Sequence, residues 1–191
     1  NVGVQQFGAI EKLTDHDWEW VLGVNVFGVF NTVSAFLPLL RTASPAATRH
    51  VVLTSSSSFF QGGIRMAAYV TSKYAVTGYG EVLRRELAGE GINVSLLFPA
   101  GMETRHIESS MAARPAELGA SRLAREDMEA MMADTDIDLA NHLATADHAV
   151  RNLLADLRNG EAYIVPPGAY REQGEAQPRL VLEAFHRMET H

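Results

Sequence analysis

Residues 68–75 read AYVTSKYA, and within this stretch Tyr69 and Lys73 stand four positions apart. In an α-helix, residues four apart lie on one face. A phenol then lies beside an ammonium group, whose charge favours the phenolate and is expected to lower the tyrosine pKa. Such a tyrosine can donate a proton to a carbonyl oxygen or accept one from an alcohol. Taken alone, the pattern is more often two ordinary residues on a solvated helix face, because short motifs match by chance.

A buried strand is predicted upstream of this helix, at the apolar run Val51-Val52-Leu53. Four serines, residues 55–58, follow it. In open α/β sheets, ligands bind beyond the carboxyl ends of the strands, where a hydroxyl can donate to a substrate oxygen. For any single serine, the better reading is a serine-rich turn that leads to Gly62-Gly63.

A second buried strand is predicted downstream, at residues 91–98, and it ends in the loop Pro99–Thr104. Both strand ends and the start of the Tyr69 helix can therefore converge on one place. The proline and glycine of the loop are also compatible with a simple turn.

Asn25 is a polar residue in the apolar helical stretch from residue 21 to residue 30. A buried asparagine is costly unless its amide is hydrogen-bonded. Two interpretations stay open: a neighbouring backbone satisfies the amide, or the amide holds a water molecule or backbone group near an active site.

Taken together, these motifs resemble the classical short-chain dehydrogenase/reductase family. The resemblance rests on their order and spacing and is clear from the first residue to about Ala100, then looser to the end. The matching positions are Tyr69 with Lys73, Ser56 thirteen residues before Tyr69, Asn25, the loop Pro99–Thr104 and the run Asn1-Val2-Gly3. Two positions depart from the family pattern: Ala100 replaces a glycine, and Val2 replaces an alanine.

The resemblance implies an α/β fold, a Rossmann-type doubly wound parallel sheet, with NAD or NADP as cofactor. It makes residues 1–191 one partial domain in which residues 102–146 are inserted as a substrate lid. The implied catalytic residues are Asn25, Ser56, Tyr69 and Lys73. The implied cofactor-binding residues are Asn1, Gly3, Thr54, Tyr69, Lys73, Pro99, Ala100, Gly101, Met102 and Thr104.

The family's glycine-rich turn, which binds the cofactor pyrophosphate at a helix N-terminus, has no match in these 191 residues. The chain begins inside the Asn1-Val2-Gly3 motif. We therefore expect a longer protein in which the first half of the sheet precedes Asn1. The alternative is a natural half-protein, whose bared sheet edge favours association.

The composition argues against several classes of partner and site. The net charge of −7 comes without a basic patch, so no nucleic-acid partner is expected. There is no cysteine, and the seven histidines are dispersed, so we expect no metal site and a cytoplasmic location. The most apolar run, residues 21–40, is interrupted by polar residues and is not expected to span a membrane. By resemblance, the full-length protein is a homo-tetramer or homo-dimer.

The methionine-rich segment 102–146 is where substrate choice is expected. Methionine adapts its shape, so it suits a hydrophobic alcohol or ketone as well as it suits packing of the lid. The stretch after Pro99 and the ending Tyr163–Pro166 are faintly similar to bacterial Cα-dehydrogenases of aryl-ether alcohols. Further helices are predicted at residues 15–38 (ended by Pro38), 69–87, 147–157 and 177–188, and a strand at residues 163–165.

Two functions follow. The first is an NAD(P)-dependent oxidoreductase that interconverts an alcohol and a ketone or aldehyde, with Tyr69 as acid/base. The second is a truncated, non-catalytic relative that acts as an assembly partner through the face formed by the helix near residues 15–38 and the Tyr69 helix.

Overall fold

The computed structural model describes residues 1–44, 46–121, 123–134, 144–166 and 171–189. Within them lies a three-stranded parallel sheet with the strand order β1-β2-β3. The strands are β1 His50–Thr54, β2 Asn93–Leu97 and β3 Tyr163–Ile164. Val51 lies opposite Val94, and Leu96 lies opposite Tyr163. The three predicted strands are thus confirmed. They could be predicted because strands buried in parallel sheets have continuous apolar runs.

The first long helical stretch consists of α1 Asp15–Leu22, a π-helical segment Gly23–Phe27 and α2 Gly28–Thr42. Thr14 and Asp17 cap its start reciprocally through side chain and backbone. The prediction that Pro38 ends this helix is wrong, because Pro38 lies inside α2. Pro38 and Ser34 are both exposed, so water can satisfy the carbonyl that loses its helical partner.

The core of the fold lies where helix α3, Ala67–Leu87, packs on β1 and β2. α3 is followed by the 3-10 turn Ala88–Glu90, which ends at Gly91 with a φ of 66°, in the left-handed region that favours glycine. A Cβ at Gly80 would lie 2.6 Å from Leu96 Cδ2 and 3.1 Å from Leu53 Cδ1. The absence of a side chain there lets the helix approach the sheet closely and aligns its first turn with the end of β1.

Beyond β2 the chain forms mostly short helices. They are α4 His106–Ala112, α5 Arg125–Asp134, α6 Ala146–Ala149, α7 Leu153–Asn159 and α8 Arg171–Glu189. The single helix predicted at residues 147–157 is therefore two helices, broken near Val150, and the last helix begins before residue 177. Residues 135–143 of the predicted lid lie outside the described residues, as do Pro167 and Gly168. We call the described residues 102–134 the lid segment.

Asp15–Thr42 forms one helical stretch of 28 residues with a mean hydropathy of 1.6, long and apolar enough to cross a membrane by length and composition. The expectation that the run 21–40 does not span a membrane is not tested by these two measures. Core helices of globular proteins meet the same criteria. Asn25 lies near the middle of this stretch, 1 % exposed and hydrogen-bonded to neighbouring protein groups, as is typical of a helix packed in a fold.

Candidate active site

Tyr69 and Lys73 lie in the first turns of α3, and both are buried. The ammonium nitrogen of Lys73 is 5.5 Å from the centroid of the Tyr69 ring. The same nitrogen donates a hydrogen bond to the backbone carbonyl of Thr54, at the end of β1, over 3.1 Å. Helical spacing therefore brings the phenol and the ammonium group together beside the carboxyl end of a strand.

The side chains of Ser56 and Gln5 lie near enough to the Tyr69 hydroxyl to lower its pKa. Ser56 lies two residues after the end of β1, and its hydroxyl oxygen accepts a hydrogen bond from the backbone N–H of Ser58 over 3.1 Å. That bond caps the short 3-10 turn Ser57–Phe59 and holds the Ser56 side chain in place. Of the four serines, Ser56 is thus the one that lies near the phenol.

The protonation behaviour of the pair differs from the sequence expectation. Burial raises the pKa of Tyr69 above its ordinary value, and the hydrogen bonds from Ser56 and Gln5 only partly oppose this. Burial also lowers the pKa of Lys73 to about 8. The expected lowering of the tyrosine pKa by Lys73 is therefore wrong for this structure, because desolvation of the buried phenol is the larger effect.

Asn25 lies in the π-helical segment, and its amide is bonded to the Val4 backbone and the Ser72 side chain. The amide oxygen accepts from Val4 N over 2.8 Å, and the amide nitrogen donates to Val4 O and to Ser72 Oγ, each over 2.9 Å. Ser72 Oγ in turn donates to the Tyr69 carbonyl over 2.6 Å. Asn25 therefore ties the N-terminal segment to the first turns of α3, through Ser72 and the Tyr69 carbonyl.

The predicted cofactor residues at the N-terminus lie in the same place. The Thr54 hydroxyl donates to the side-chain oxygen of Asn1 over 3.1 Å. A Cβ built on Gly3 would lie 3.4 Å from Asn25 Oδ1 and 3.8 Å from Lys73 Nζ. Asn1, Gly3 and Thr54 thus surround the Lys73 ammonium group, although they are up to 72 positions from it in sequence.

The loop Pro99–Thr104 contacts the serine turn at its start and Ala144 further along. The Pro99 carbonyl accepts from Ser57 N over 2.8 Å, which fixes the loop's start beside the serine turn. Ala100 is half-buried, whereas Gly101 and Thr104 are exposed. The Gly101 carbonyl accepts from Ala144 N over 3.2 Å, and Met102 forms a parallel bridge with the same residue. Only the first part of the predicted loop therefore contacts the serine turn directly.

Two site residues were missed by sequence reasoning. Gln5 lies near the Tyr69 hydroxyl, and the His106 ring lies 6.3 Å from the Tyr69 ring, centroid to centroid. Burial, and to a lesser degree the charge of Lys73, lowers the pKa of His106, so its imidazole is neutral at neutral pH. Gln5 stands two positions after Gly3, a predicted cofactor-binding residue, and this closeness could have indicated that Gln5 belongs to the site. Nothing in the sequence singled out His106.

A cavity of about 400 Å³ opens beside these residues, between the N-terminal segment and the lid segment. Gln5 lines it, so the cavity adjoins a group that lies near the Tyr69 hydroxyl. Its apolar lining includes Phe7, Ile107, Met111 and Leu123, and its polar lining includes Gln6, Arg114 and Ser121. The cavity can hold a mostly apolar small molecule, although Tyr69 itself is not among its lining residues.

An ion pair between Arg114 and Asp17 joins the lid segment to α1. Arg114 Nη1 is 2.7 Å from Asp17 Oδ1, and both side chains are buried. Arg114 also donates to the side-chain oxygen of Gln6 over 2.7 Å. Burial alone would raise the pKa of Asp17, but hydrogen bonds from Thr14 and the Arg114 guanidinium hold it below its ordinary value.

A second contact of this kind involves Asp127, on α5. Its two carboxylate oxygens lie 3.0 Å from Arg65 Nε and 3.4 Å from Lys12 Nζ. The backbone N–H of Ala124, helped by both cations, lowers the pKa of Asp127. Arg65 has a φ of 65°, in the left-handed region that non-glycine residues rarely adopt.

Comparison with known proteins agrees with this geometry. A family model described as short chain dehydrogenase matches residues 1–115, more than half of the chain. The chain belongs to the short-chain dehydrogenase family. Tyr69, Lys73, Ser56 and Asn25 all lie within the matched part of this short-chain dehydrogenase.

The similar proteins are longer than this short-chain dehydrogenase chain. A C alpha-dehydrogenase of Sphingobium is 30% identical over 188 residues, which cover 98% of this chain and 60% of the relative. A solved short-chain dehydrogenase of Burkholderia phymatum, in complex with NAD, has a TM-score of 0.76 and is 26% identical. The match covers 98% of this chain and 65% of that one. This chain thus spans about three-fifths of its relatives' length.

A third relative shows the fold alone. A short-chain dehydrogenase of Burkholderia cenocepacia, in complex with NADP, has a TM-score of 0.66 and is 22% identical, with 96% of this chain and 65% of that one covered. Of the two solved structures, the one from Burkholderia phymatum holds NAD and the one from Burkholderia cenocepacia holds NADP. Among the residues that the structure describes, no group of three His, Cys, Asp or Glu side chains is placed to hold a metal ion.

Proposed function

We propose that the protein is an NAD(P)-dependent oxidoreductase that interconverts an alcohol and a ketone or aldehyde. The observation that carries this proposal is the buried group formed by Tyr69, Ser56 and Lys73 beside the end of β1. Tyr69 exchanges the proton with the substrate oxygen. Ser56 donates a hydrogen bond to that oxygen and stabilises negative charge as it develops there.

Lys73 acts through its charge and through its position. With a pKa of about 8, it is charged at neutral pH and becomes neutral in mildly alkaline solution. Its charge favours the phenolate of Tyr69, against the effect of burial. Asn25 supports the group by holding Val4 and Ser72 beneath it; a water molecule at Asn25 that links Lys73 to solvent belongs to the same proposal.

The donor set suits the nicotinamide half of a dinucleotide. Asn1, Thr54 and Lys73 present amide, hydroxyl and ammonium groups within one cluster. Groups of these kinds would hydrogen-bond the ribose hydroxyls of a bound cofactor. The loop Pro99–Thr104 would hold the carboxamide side. A bound nicotinamide cofactor supplies or accepts the hydride, and the protein orients it. The pyrophosphate turn would belong to a doubly wound domain longer than this chain.

The cavity beside Gln5 supports a hydrophobic substrate. Its apolar lining suits an aromatic or aliphatic alcohol. The segment 102–146 would act as the substrate lid. We place the enzyme in the cytoplasm, which fractionation of the source cells would test.

The test compares Tyr69→Phe with Tyr79→Phe in the complete gene product. Both variants lose one hydroxyl from the same helix, but Tyr79 packs against Phe30, away from Tyr69. Tyr69→Phe should keep cofactor binding, measured by NAD(P)H fluorescence, and lower kcat by about 10²–10⁴-fold. Tyr79→Phe should retain turnover. If Tyr69→Phe keeps more than a few per cent of kcat, Tyr69 is not the acid/base.

Assembly is a second candidate role, favoured by one observation. Phe27 and Phe30 lie three positions apart, on one side of the first long helical stretch, and they are 61% and 49% exposed. Exposed aromatic side chains that share a helix face are typical of a surface that another chain covers. We infer a homo-tetramer or homo-dimer through this face, with no membrane or nucleic-acid partner. Sedimentation of Phe30→Asp against wild type tests it, and loss of assembly without loss of turnover would separate the two roles.

A further inference from the structure

Arg114 connects separate pieces of chain that enclose the cavity. The cavity lies between the N-terminal segment, helix α4 and the loop that follows α4. In that loop, the Arg114 guanidinium donates to the Gly119 carbonyl over 2.8 Å and to the Leu118 carbonyl over 3.1 Å. The same guanidinium donates to the side-chain oxygen of Gln6, in the N-terminal segment, over 2.7 Å. One side chain, 8% exposed, therefore joins two walls of the cavity.

Gln6 extends this connection to the far end of the loop. It is 4% exposed, and its amide nitrogen donates to the Phe7 carbonyl over 2.9 Å and to the Ser121 hydroxyl over 3.0 Å. These two contacts occupy both donor hydrogens of the amide. The polar residues that line the cavity are therefore hydrogen-bonded to one another and to the backbone of its walls.

The charge of Arg114 is balanced by a partner within the protein. Asp17 Oδ1 lies 2.7 Å from Arg114 Nη1, and the other Asp17 oxygen accepts from the backbone N–H and the hydroxyl of Thr14, each over 2.8 Å. The guanidinium carbon lies 5.7 Å from the centroid of the Trp20 ring, which adds a cation–π contact. Arg114 is thus anchored on α1 by a carboxylate and an aromatic face, and its charge is balanced without an anionic ligand.

We propose that Arg114 is a positioning residue that assembles the walls of the cavity on α1 and does not bind a substrate anion. A planar fork of N–H donors can hold several acceptors at once, which the point charge of a lysine cannot do. The inference rests on the proposed alcohol–carbonyl chemistry and names the residue that keeps its substrate site in shape. Loss of the fork lowers the fraction of molecules with assembled walls, and the apparent affinity for substrate falls by the same factor.

The experiment measures KM and kcat of the complete gene product for 1-phenylethanol, an uncharged aromatic alcohol. Arg114→Lys keeps a positive charge beside Asp17 but loses the fork, so the variant should fold. Its KM should rise about tenfold, as expected when about a tenth of the molecules keep assembled walls. Its kcat should fall less than about twofold, because bound substrate selects the assembled molecules. A simple loss of folded protein would instead lower kcat at unchanged KM.

Two further variants test whether the effect belongs to the network. Gln6→Leu leaves the ion pair of Arg114 with Asp17 in place and breaks the link to Ser121, so it should raise KM by about threefold. Combined with Arg114→Lys, it should add less than it does alone, because both act through one network. Arg41→Met is the matched control: Arg41 pairs with Glu90 at the end of α2, and its loss should keep the wild-type KM.

A charged probe separates positioning from direct binding by Arg114. The probe is 4-(1-hydroxyethyl)benzoate, which carries a carboxylate on the ring, away from the carbinol. Wild type should prefer 1-phenylethanol by at least about tenfold in kcat/KM, because the carboxylate would enter the cavity without a free cation as partner. A wild-type preference for the benzoate that Arg114→Lys reduces would overturn the proposal, since Arg114 would then bind the substrate.

Hydrogen exchange gives a readout that does not depend on turnover. In Arg114→Lys, the amides of residues 116–121 should exchange about tenfold faster, while those of α3 keep the wild-type rate. If wild type oxidises neither probe but this local acceleration is found, the alcohol–carbonyl function fails for aromatic alcohols and the positioning role stands. Unchanged exchange together with an unchanged KM would overturn the positioning role and leave the proposed function intact.

Discussion

The body of the molecule and its lid segment are held together by different forces. In the body, apolar side chains of α3, β1 and β2 form a cluster that includes Val76, Leu53 and Leu96, all at most 5% exposed. The lid segment is fastened largely through charge, by Arg114 on Asp17 and by Asp127 on Lys12 and Arg65. The hydrophobic effect has no direction, whereas an ion pair specifies partners and position.

The difference matters because the proposed site lies where the two regions meet. Tyr69 and Lys73 belong to the body, and His106 and Ser110 belong to the lid segment. A body held by apolar burial keeps the acid/base pair in place through changes of salt. A lid segment held by charged contacts can respond to salt and to single substitutions without loss of the core.

The strongest test of this contrast removes the buried cation of the lid segment. Arg114→Met leaves the Asp17 carboxylate buried without its partner, so we expect a loss of about 3 kcal/mol in the free energy of unfolding. Arg105→Met is the control, because Arg105 pairs with Glu108 at an exposed site and its loss should cost under about 0.5 kcal/mol. Urea denaturation measures both, and equal losses would contradict the contrast.

The second test concerns the charge buried in the body. The folded-state pKa of Lys73, about 8, lies below the ordinary lysine pKa of 10.5. Between these two pH values the unfolded chain keeps a proton that the folded chain has released, so stability rises with pH through this window. The rise amounts to roughly 3 kcal/mol. Lys73→Met should abolish it, and a variant that keeps the rise would show that another group causes it.

A third test measures how tightly the body packs. Gly80→Ala places a methyl group 2.6 Å from Leu96 Cδ2, which should destabilise the protein by about 1–3 kcal/mol. Gly78→Ala, on the same helix, meets no atom within 4 Å and should be neutral or stabilising by up to about 1 kcal/mol through helix propensity. Thermal denaturation distinguishes them. A neutral Gly80→Ala would mean that α3 can move away from the sheet.

The smallest expected effect is that of salt. At 1 M NaCl the screening length falls to about 3 Å, and the half-exposed Lys12 should then hold Asp127 less firmly. Hydrogen exchange of the α5 amides should accelerate by a few-fold, while that of the α3 amides should stay unchanged. Equal acceleration in both helices would contradict a specific role of charge in the lid segment.

The strands and the Tyr69 helix could be predicted because their signals are local. Continuous apolar runs indicated β1 and β2, and the four-residue spacing of Tyr69 and Lys73 indicated the start of α3. The end of α2 was mispredicted because the cost of Pro38 depends on whether water reaches the carbonyl of Ser34, which is a matter of exposure. The division of the helix near Val150 likewise had no strong local signal.

Within the candidate site, spacing and family resemblance pointed to Tyr69, Lys73, Ser56 and Asn25, and the structure brings these residues together. Gln5 lies 64 positions before Tyr69 in sequence, so only folding reveals their contact. His106 lies 37 positions after Tyr69 and its role depends on the placement of α4. Contacts between distant residues follow from the packing of whole elements, which no local pattern encodes.

The sequence by itself determined which chemical groups are present and in what order: a phenol and an ammonium group on one helical face, a serine after a strand, and an asparagine within an apolar helix. The tertiary structure decided their protonation and their partners. Burial raises the pKa of Tyr69 and lowers that of Lys73, which reverses the expectation for the tyrosine. The reason is physical, because desolvation depends on the surrounding atoms of the folded chain rather than on the spacing of two residues.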